Sequence, residues 1–360
     1  MPAEWEPQSA VQLTWPHEGT DWAPILPEIT AVYEEMAREI RKREDVLIVA
    51  PKELQSELLP LTSPLDLRSL ARQDLLPLTS NDTWARDHGF ITVEEASALS
   101  PQTSDLILLD FQFNGWGEKF EAGLDNQINK HLFDSELVKG IYEPHLDFVL
   151  EGGSIESDGK GTVFTTACCL LAPHRNQPLT AQQIENRLKE YLGAERIVWL
   201  HHGSLIGDDT DGHIDTLVRI CPDDTLLYTG GDEDHPDLYE MERELQALRT
   251  MEGKPYRLLK LPLPRPIYDT TAINHPLDPQ VALHLQVKEP SAINRLPATY
   301  ANYLVINGAV LVPTYAQPDL DQEAMHIIQQ AFPDREIVGI DCRAVIKQHG
   351  SLHCCTMQYY

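Results

Sequence analysis

The sequence predicts an α/β fold in which one strand-and-helix unit recurs along a single domain covering residues 1–360. Short apolar runs typical of buried strands alternate with amphipathic segments typical of helices. The order strand, hairpin, helix, strand occurs in about five versions, although no letter-by-letter repeat is visible. No stretch rich in Pro, Gly and Ser divides the chain. Recurrence of one unit favours radial or solenoid packing.

Apolar spacing, turn pairs and cap residues locate the elements in chain order. Predicted helices cover residues 24–43, 180–192 with Thr180 as N-cap, 236–248 beginning at Pro236, and 319–332 with Asp319 as N-cap. Predicted strands cover residues 45–50, 105–111, 196–200 and 335–346. Predicted strand pairs cover residues 147–166 around Asp158-Gly159, 213–230, and 300–315 around Asn307-Gly308.

The chain is strongly acidic, with 56 Asp and Glu residues against 28 Lys and Arg residues and a net charge of −28. This charge argues against nucleic acid or an anionic membrane as a partner and permits a cationic small substrate. Solubility alone is an alternative reason for the charge. The opening MPAEWEPQSA lacks the pattern of a signal peptide, and no apolar run approaches the ~18 residues of a membrane span. We therefore expect a cytoplasmic protein with reduced cysteines, and a homo-oligomer is left open.

The segment NDTWARDHG, residues 81–89, combines carboxylates with an aromatic side chain. A guanidinium group is recognised by both, since a carboxylate bonds in its plane and a ring stacks on its face. Trp84 and Asp87 are the candidates for these two roles. The alternative is a surface loop with an internal contact between Arg86 and Asp87.

Two further segments place acids beside glycines and a histidine. Glu151 ends the apolar run FVLE, and Gly152-Gly153 would let a ligand or another chain segment approach closely, or would mark a strand bulge. In GDDTDGHIDT, His213 and Asp215 would point to the same side of a strand. Histidine suits acid–base chemistry near neutrality. A metal is less favoured because His-x-Asp supplies only two ligands.

The segment GSLHCCTMQYY, residues 350–360, carries two adjacent thiols, Cys354 and Cys355. A cysteine nucleophile needs a lowered pKa and an acid–base partner, whereas an inert core thiol is the alternative. Successive strand residues face opposite ways, so Cys355 should pack inward if Cys354 faces a pocket. Together the four segments supply a thiol, a histidine and three carboxylates, as a cysteine enzyme acting on a cation requires.

The chain resembles the agmatine deiminase family, also called the Porphyromonas-type peptidylarginine deiminase family, of the guanidino-group-modifying (pentein) superfamily. Seven stretches carry the resemblance in order: PAEWEPQSAVQLTWP, NDTWARDHG, FNGWGEKF, LEGGSIESDG, TDGHIDTLVR, PATYANYLVINGAVLVPTY and GSLHCCTMQ. The resemblance implies a five-bladed α/β propeller with blades of roughly ββαβ. It also implies hydrolysis of a guanidinium to a ureido group and ammonia, without metal or cofactor.

The resemblance also implies roles for single residues. Cys354 resembles the nucleophile and His213 the general acid and base, while Asp87 and Asp215 resemble the carboxylates that hold the guanidinium. Glu151 resembles the glutamate beside the histidine. Trp84 fits the aromatic residue that flanks the substrate, and Trp116 is a further candidate for substrate binding.

The substrate is less determined than the chemistry. His349 and Ser351 stand where members of the family often have Gly and Asn, close to the expected pocket. Agmatine is the leading substrate, and free or peptidyl arginine is the alternative. Two hypotheses come from other functional classes. One is a non-catalytic protein that binds guanidines or polyamines, and the other is a metal-binding protein.

Overall fold

The computed structural model describes residues 1–62, 75–96, 104–269 and 295–360. Within these ranges the strands form five sheets. The first sheet contains β1 (Ala10–Thr14), β2 (Asp45–Ala50), β3 (Leu75–Pro77) and β16 (Thr356–Tyr359). The other four contain β4 (Ile91–Ala96), β5 (Ser104–Gln112) and β6 (Ile141–Val149); β7 (Ile155–Ser157), β8 (Thr162–Thr166) and β9 (Arg196–Leu200); β10 (Val218–Cys221), β11 (Thr225–Thr229) and β12 (Arg257–Leu261); β13 (Leu304–Ile306), β14 (Ala309–Thr314) and β15 (Glu336–Asp341).

Helices connect these strands. The longer ones are α1 (Leu26–Arg41), α2 (Gln55–Thr62), α5 (Asp125–Asp134), α7 (Ala181–Leu192), α8 (Pro236–Ala247) and α9 (Pro318–Ala331), and the single turns are α3 (Ala85–His88), α4 (Gly115–Glu118) and α6 (Ala167–Leu170). Among the helices of the described ranges, none combines the length and the apolar character that crossing a bilayer requires.

Every sheet repeats one unit. An antiparallel pair is followed by a helix and then by a strand parallel to the second member of the pair, as in β4, β5, α5 and β6. The same order joins β7, β8, α7 and β9, then β10, β11, α8 and β12, then β13, β14, α9 and β15. The fifth unit combines both ends of the described chain, because β16 pairs antiparallel with β1 and β1 pairs parallel with β2. The predicted α/β class and recurring ββαβ unit are confirmed.

Local signals placed most elements correctly. Helix α1 buries Ile29, Tyr33, Met36 and Ile40 at helical spacing. Thr180 caps α7 in a reciprocal pair with Gln183, and Gly193 ends that helix in the left-handed conformation. The Asn307-Gly308 turn joins β13 to β14 as predicted.

Three boundaries differ from the prediction. Asp319 is not the cap of α9, which begins at Pro318; its carboxylate instead pairs with Arg265 through both oxygens, at 2.8 and 2.7 Å. Residues 147–149 end β6, so the hairpin of the third sheet begins only at Ile155. The last predicted strand stops at Asp341 and is followed by a 3₁₀ turn, Val345–Gln348.

In each unit a short segment precedes the first strand, and several of these segments contact one another. These five segments are α3, the 3₁₀ turns Gly152–Ser154, Ile214–Thr216 and His353–Cys355, and residues 299–303 before β13. Turn α3 contacts Gly152–Ser154 and His353–Cys355, and Gly152–Ser154 contacts Ile214–Thr216. The fold therefore brings the chemistry-bearing segments of the sequence to one place.

Candidate active site

Asp87 lies on the buried turn α3, not on a surface loop. Its Oδ1 accepts a hydrogen bond from the Gly153 backbone N–H at 3.0 Å, and its Oδ2 accepts one from Trp116 Nε1 at 3.0 Å. Arg86 points away and donates to Gln358 and to the His353 carbonyl oxygen. The surface-loop alternative with an Arg86–Asp87 contact is wrong, because the whole turn is buried between other turns.

Gly153 lies where three side chains converge. A Cβ atom on this residue would lie 2.6 Å from His213 Nδ1, 2.9 Å from Asp87 Oδ1 and 3.1 Å from Asp215 Oδ2. A Cβ on Gly152 would lie 2.2 Å from the Arg86 carbonyl oxygen. The glycine pair therefore permits close approach of other chain segments, which is one of the two interpretations that its sequence suggested.

His213 directly precedes the 3₁₀ turn Ile214–Thr216 and Asp215 lies within it, so their predicted position on a strand is wrong. Strand β10 begins only at Val218, and the Thr216 hydroxyl donates to the His213 carbonyl oxygen at 2.8 Å to close the turn. The His213 ring is fully buried with Nδ1 3.6 Å from Asp87 Oδ1. Neither ring nitrogen has a hydrogen-bond partner among the residues that the structure describes.

Glu151 is buried beside His213 and is held by an arginine. Its two carboxylate oxygens lie 3.0 and 3.3 Å from Arg175 Nε, and Arg175 also binds Asp211 and the Thr210 carbonyl oxygen in the loop before His213. Sequence reasoning missed Arg175, because no local pattern marks a partner 24 residues away.

A metal ion has two candidate ligand sets within the described ranges. Glu151, Cys169 and His213 form one, and Glu4, Glu156 and His353 form the other, each with ligand atoms within 4.8 Å of one another. In both sets an arginine guanidinium already pairs with a carboxylate, Arg175 in the first and Arg219 in the second. In each set, a metal ion would therefore have to compete with an arginine guanidinium for the carboxylate.

Cys354 lies in the 3₁₀ turn His353–Cys355 and faces two polar groups. Its Sγ is 3.9 Å from Asp215 Oδ2 and 3.4 Å from Asn302 Oδ1. Asn302 Oδ1 also accepts the backbone N–H of His353 at 2.9 Å and of Cys354 at 3.3 Å, which fixes the turn. Asn302 was not singled out from the sequence. Burial raises the pKa of the Cys354 thiol well above its usual value, and Asp215 and Asp87 raise it further.

Cys355 points the other way, into the apolar core. Its Sγ donates to the Ser351 carbonyl oxygen at 3.4 Å, and burial raises its pKa to about 12. The alternation argument does not apply, since the pair lies on a 3₁₀ turn and β16 begins at Thr356. The two thiols are nevertheless directed to different surroundings, as the sequence suggested.

A cavity of about 340 Å³ opens onto this cluster. Its walls are Asp21, Asp82, Trp84, Asp87, Trp116, Phe120, Asp209, Thr210, Lys347, Gln348, His349, Gly350 and Cys354. Burial raises the pKa of Asp82 to about 6. Burial likewise raises the pKa of Asp87 to about 6. The charge of His213 acts against this increase, whereas the charges of Asp215 and Glu151 raise the pKa further. We call Asp87, His213, Asp215 and Cys354 the front cluster.

Comparisons with known proteins agree with this geometry. The sequence profile described as Porphyromonas-type peptidyl-arginine deiminase matches residues 1–359. An agmatine deiminase of Pseudomonas aeruginosa (strain LESB58) is 33% identical over 368 residues, covering 99% of this chain and 94% of that protein.

Two solved structures share the fold over the whole chain. A putative arginine deiminase from Porphyromonas gingivalis superposes with a TM-score of 0.83 at 45% identity, covering 100% of this chain and 97% of that one. A C. jejuni agmatine deiminase with substrate bound gives a TM-score of 0.82 at 35% identity, covering 100% and 95%. The predicted pentein propeller is confirmed. The chain therefore belongs to the Porphyromonas-type peptidyl-arginine deiminase family.

Proposed function

We propose that this protein hydrolyses the guanidinium group of agmatine, releasing ammonia and N-carbamoylputrescine. The observation that carries the proposal is the acid-lined cavity that ends at the Cys354 thiol beside a buried histidine without hydrogen-bond partners. Relatives that match almost the full length bear the name agmatine deiminase, which supports the same reaction.

The front cluster and two tryptophans suit a planar cation. Asp87 and Asp215 would accept the guanidinium N–H groups in the plane of the substrate. Trp84 and Trp116 line the cavity and offer aromatic faces and edges to its delocalised charge. Trp116 has a second role, because its N–H donor orients Asp87.

The substrate itself helps to ionise the nucleophile. The pKa of Cys354 is raised by burial and by the two carboxylates, so the thiol is protonated before the substrate binds. A bound guanidinium offsets the two negative charges and lowers the cost of forming the thiolate. The thiol proton passes to His213 as Cys354 Sγ bonds to the guanidinium carbon.

The reaction then follows in two displacements. His213 returns the proton to one nitrogen of the substrate, the C–N bond breaks, and ammonia leaves a thiouronium on Cys354. Water attacks the same carbon and gives a proton to His213. The C–S bond breaks, His213 gives its proton to the departing sulfur to restore the thiol, and the ureido product leaves after its hydroxyl proton passes to the released ammonia or to solvent. Glu151, near His213 and paired with Arg175, would orient the ring.

The acidic lining of the cavity favours a substrate with a second cation. Asp21, Asp82 and Asp209 line the cavity, and no arginine is among the described lining residues. Agmatine carries an ammonium at the end opposite its guanidinium and no carboxylate, and these acids would bind that ammonium. Free or peptidyl arginine remains the second candidate, because Lys347 also lines the cavity and can pair with a carboxylate.

Turnover on three substrates tests the proposal. Ammonia and ureido product would be measured with agmatine, arginine and an arginine-containing peptide at equal concentrations. We expect the highest kcat/KM with agmatine. Higher kcat/KM with arginine or the peptide would transfer the proposal to that substrate, and ammonia release from none of the three would refute it.

The net charge bears on the partners. We infer an enzyme of a small cationic substrate, without a nucleic-acid partner, from the net charge of −28, and a cytoplasmic location stays a prediction. A single domain over residues 1–360 also stays a prediction, as does a homo-oligomeric state.

A further inference from the structure

A second buried group of charges lies directly behind the front cluster. It consists of Glu4, Glu156, Arg219 and His353, which we call the rear cluster. Arg219 pairs with Glu4 through Nη2 and with Glu156 through Nε. The proposed reaction uses none of these four residues, and Glu4 belongs to the opening stretch PAEWEP, whose role the site did not explain.

His353 connects the two clusters. Its Nδ1 lies 2.7 Å from Asp215 Oδ2, and its Nε2 lies 3.0 Å from Glu4 Oε2. Each ring nitrogen faces a carboxylate oxygen, so the ring bridges Asp215 and Glu4. Arg219 Nη2 also lies 3.3 Å from His353 Nε2, and both nitrogens are directed at Glu4.

Glu4 is itself fixed on three sides. Its Oε1 accepts the Val305 backbone N–H at 2.8 Å, and its Oε2 accepts from Arg219 and His353. Arg219 is anchored further by the carbonyl oxygens of Ala301 and Tyr303. The anchor of His353 is therefore part of a rigid, fully bonded group.

This arrangement leaves Asp215 with one engaged and one free oxygen. Oδ2 is held by His353, whereas Oδ1 is buried without a hydrogen-bond partner. Burial alone would raise the pKa of Asp215, but the hydrogen bond from His353, its charge and the charges of His213 and Arg219 together hold that pKa below its usual value. A carboxylate restrained through one oxygen presents the other as a fixed acceptor.

We propose that His353 is a positioning residue for guanidinium binding: it holds Asp215 so that Oδ1 faces the substrate, and Glu4 of the N-terminal segment holds His353. This inference rests on the proposed function in taking a guanidinium as the ligand. It assigns the opening segment of the chain a role in substrate affinity in addition to packing.

A purely structural role of the rear cluster is the competing explanation, and Glu156 separates the two. Glu156 pairs with Arg219 and with the Ile220 backbone N–H but makes no hydrogen bond to His353. Glu156→Gln should therefore lower stability without moving Asp215. Glu4→Gln keeps an acceptor for Val305 and removes the charge that anchors His353.

Steady-state kinetics with agmatine provide the first measurement. We expect Glu4→Gln and His353→Leu to raise KM about 10-fold, with a smaller change in kcat, because a hydrogen bond to a charged group contributes on the order of 1.5 kcal/mol. His353→Asn places an amide N–H near the position of Nδ1 and should recover part of that loss. Glu156→Gln should leave KM within about twofold of wild type.

Alkylation of Cys354 provides a measurement that needs no turnover. The rate with 2-chloroacetamidine, a planar cation, is divided by the rate with neutral 2-chloroacetamide for each folded variant. The ratio should fall about 10-fold in Glu4→Gln and His353→Leu and stay unchanged in Glu156→Gln. If His353→Leu does not fold, His353→Asn and Glu4→Gln carry the comparison.

The two proposals can fail separately. Absence of ammonia release by wild type with an intact alkylation pattern would refute the substrate but not the role of His353. An unchanged alkylation ratio in Glu4→Gln and both His353 variants, or an equal fall in Glu156→Gln, would overturn the positioning role whatever the substrate is.

Discussion

The front and rear clusters are neighbouring buried groups of charge, yet their hydrogen bonding differs. No side-chain nitrogen or oxygen of the rear cluster is among the buried atoms without a partner in the described part of the chain. In the front cluster, both ring nitrogens of His213 and Oδ1 of Asp215 lack one. An unsatisfied buried polar group costs about 1–3 kcal/mol, and under the proposed function the bound substrate would offset this cost in the front cluster.

The largest effect that we expect in the front cluster follows removal of its thiol. Cys354→Ala should lower kcat/KM for agmatine by ~10⁴-fold or more, because no other group can form the thiouronium. Cys355→Ala is the matched control. It should keep kcat/KM within a factor of about three and lower the free energy of unfolding by about 1–2 kcal/mol. Equal losses of activity from both, with both proteins folded, would show that the roles of the two thiols are reversed or shared.

Removal of the arginine of the rear cluster should appear mainly as a loss of stability. Arg219→Met would leave Glu4 and Glu156 buried without their cation, at a cost of about 3–5 kcal/mol in the free energy of unfolding. His213→Asn removes no side-chain hydrogen bond and should cost less than half as much, although it should lower kcat about 10²–10⁴-fold. Urea unfolding of both variants measures the difference. Similar unfolding free energies would remove the distinction between the clusters.

The smallest expected effect concerns pH. Asp87, with its pKa raised to about 6 by burial, is ionised above that pH and protonated below it. Its attraction for the cationic substrate is therefore lost as pH falls, and kcat/KM for agmatine should drop about 10-fold between pH 7 and pH 5. Asp87→Asn should have low activity and lack this acid limb. Asp82→Asn, although the pKa of Asp82 is also raised to about 6, should keep the limb. Persistence of the limb in Asp87→Asn would assign it to another group.

The elements of the fold could be predicted from the sequence where local chemistry determines them. Thr180 and Gly193 bound α7 by their own capping bonds, and Asn307-Gly308 forms its turn without help from distant residues. The sequence also singled out Cys354, His213, Asp87 and Asp215, which the fold brings close together. Their local conformation was not predicted, because the 3₁₀ turns depend on distant groups.

The supporting contacts show the limit of sequence reasoning most clearly. Asn302 orients Cys354 across 52 residues of sequence, and His353 reaches Glu4 across 349. Neither spacing has a period or a motif that could reveal it. His353 stood next to the predicted nucleophile, but its ring contacts Asp215 and the N-terminal segment. These contacts form only because the closed arrangement of the five sheets brings distant segments of the chain together.

The residues of the proposed reaction centre come from all five units. Asp87 comes from the turn before the second sheet, Glu151 from the turn before the third, Asp215 from the turn before the fourth, Asn302 from the segment before the fifth, and Cys354 from the turn before β16. A single unit thus holds only a fragment of the chemistry and would be inert by itself. If such a fold arose by duplication of one unit, reactivity towards a guanidinium could have emerged only after five copies had joined into a ring.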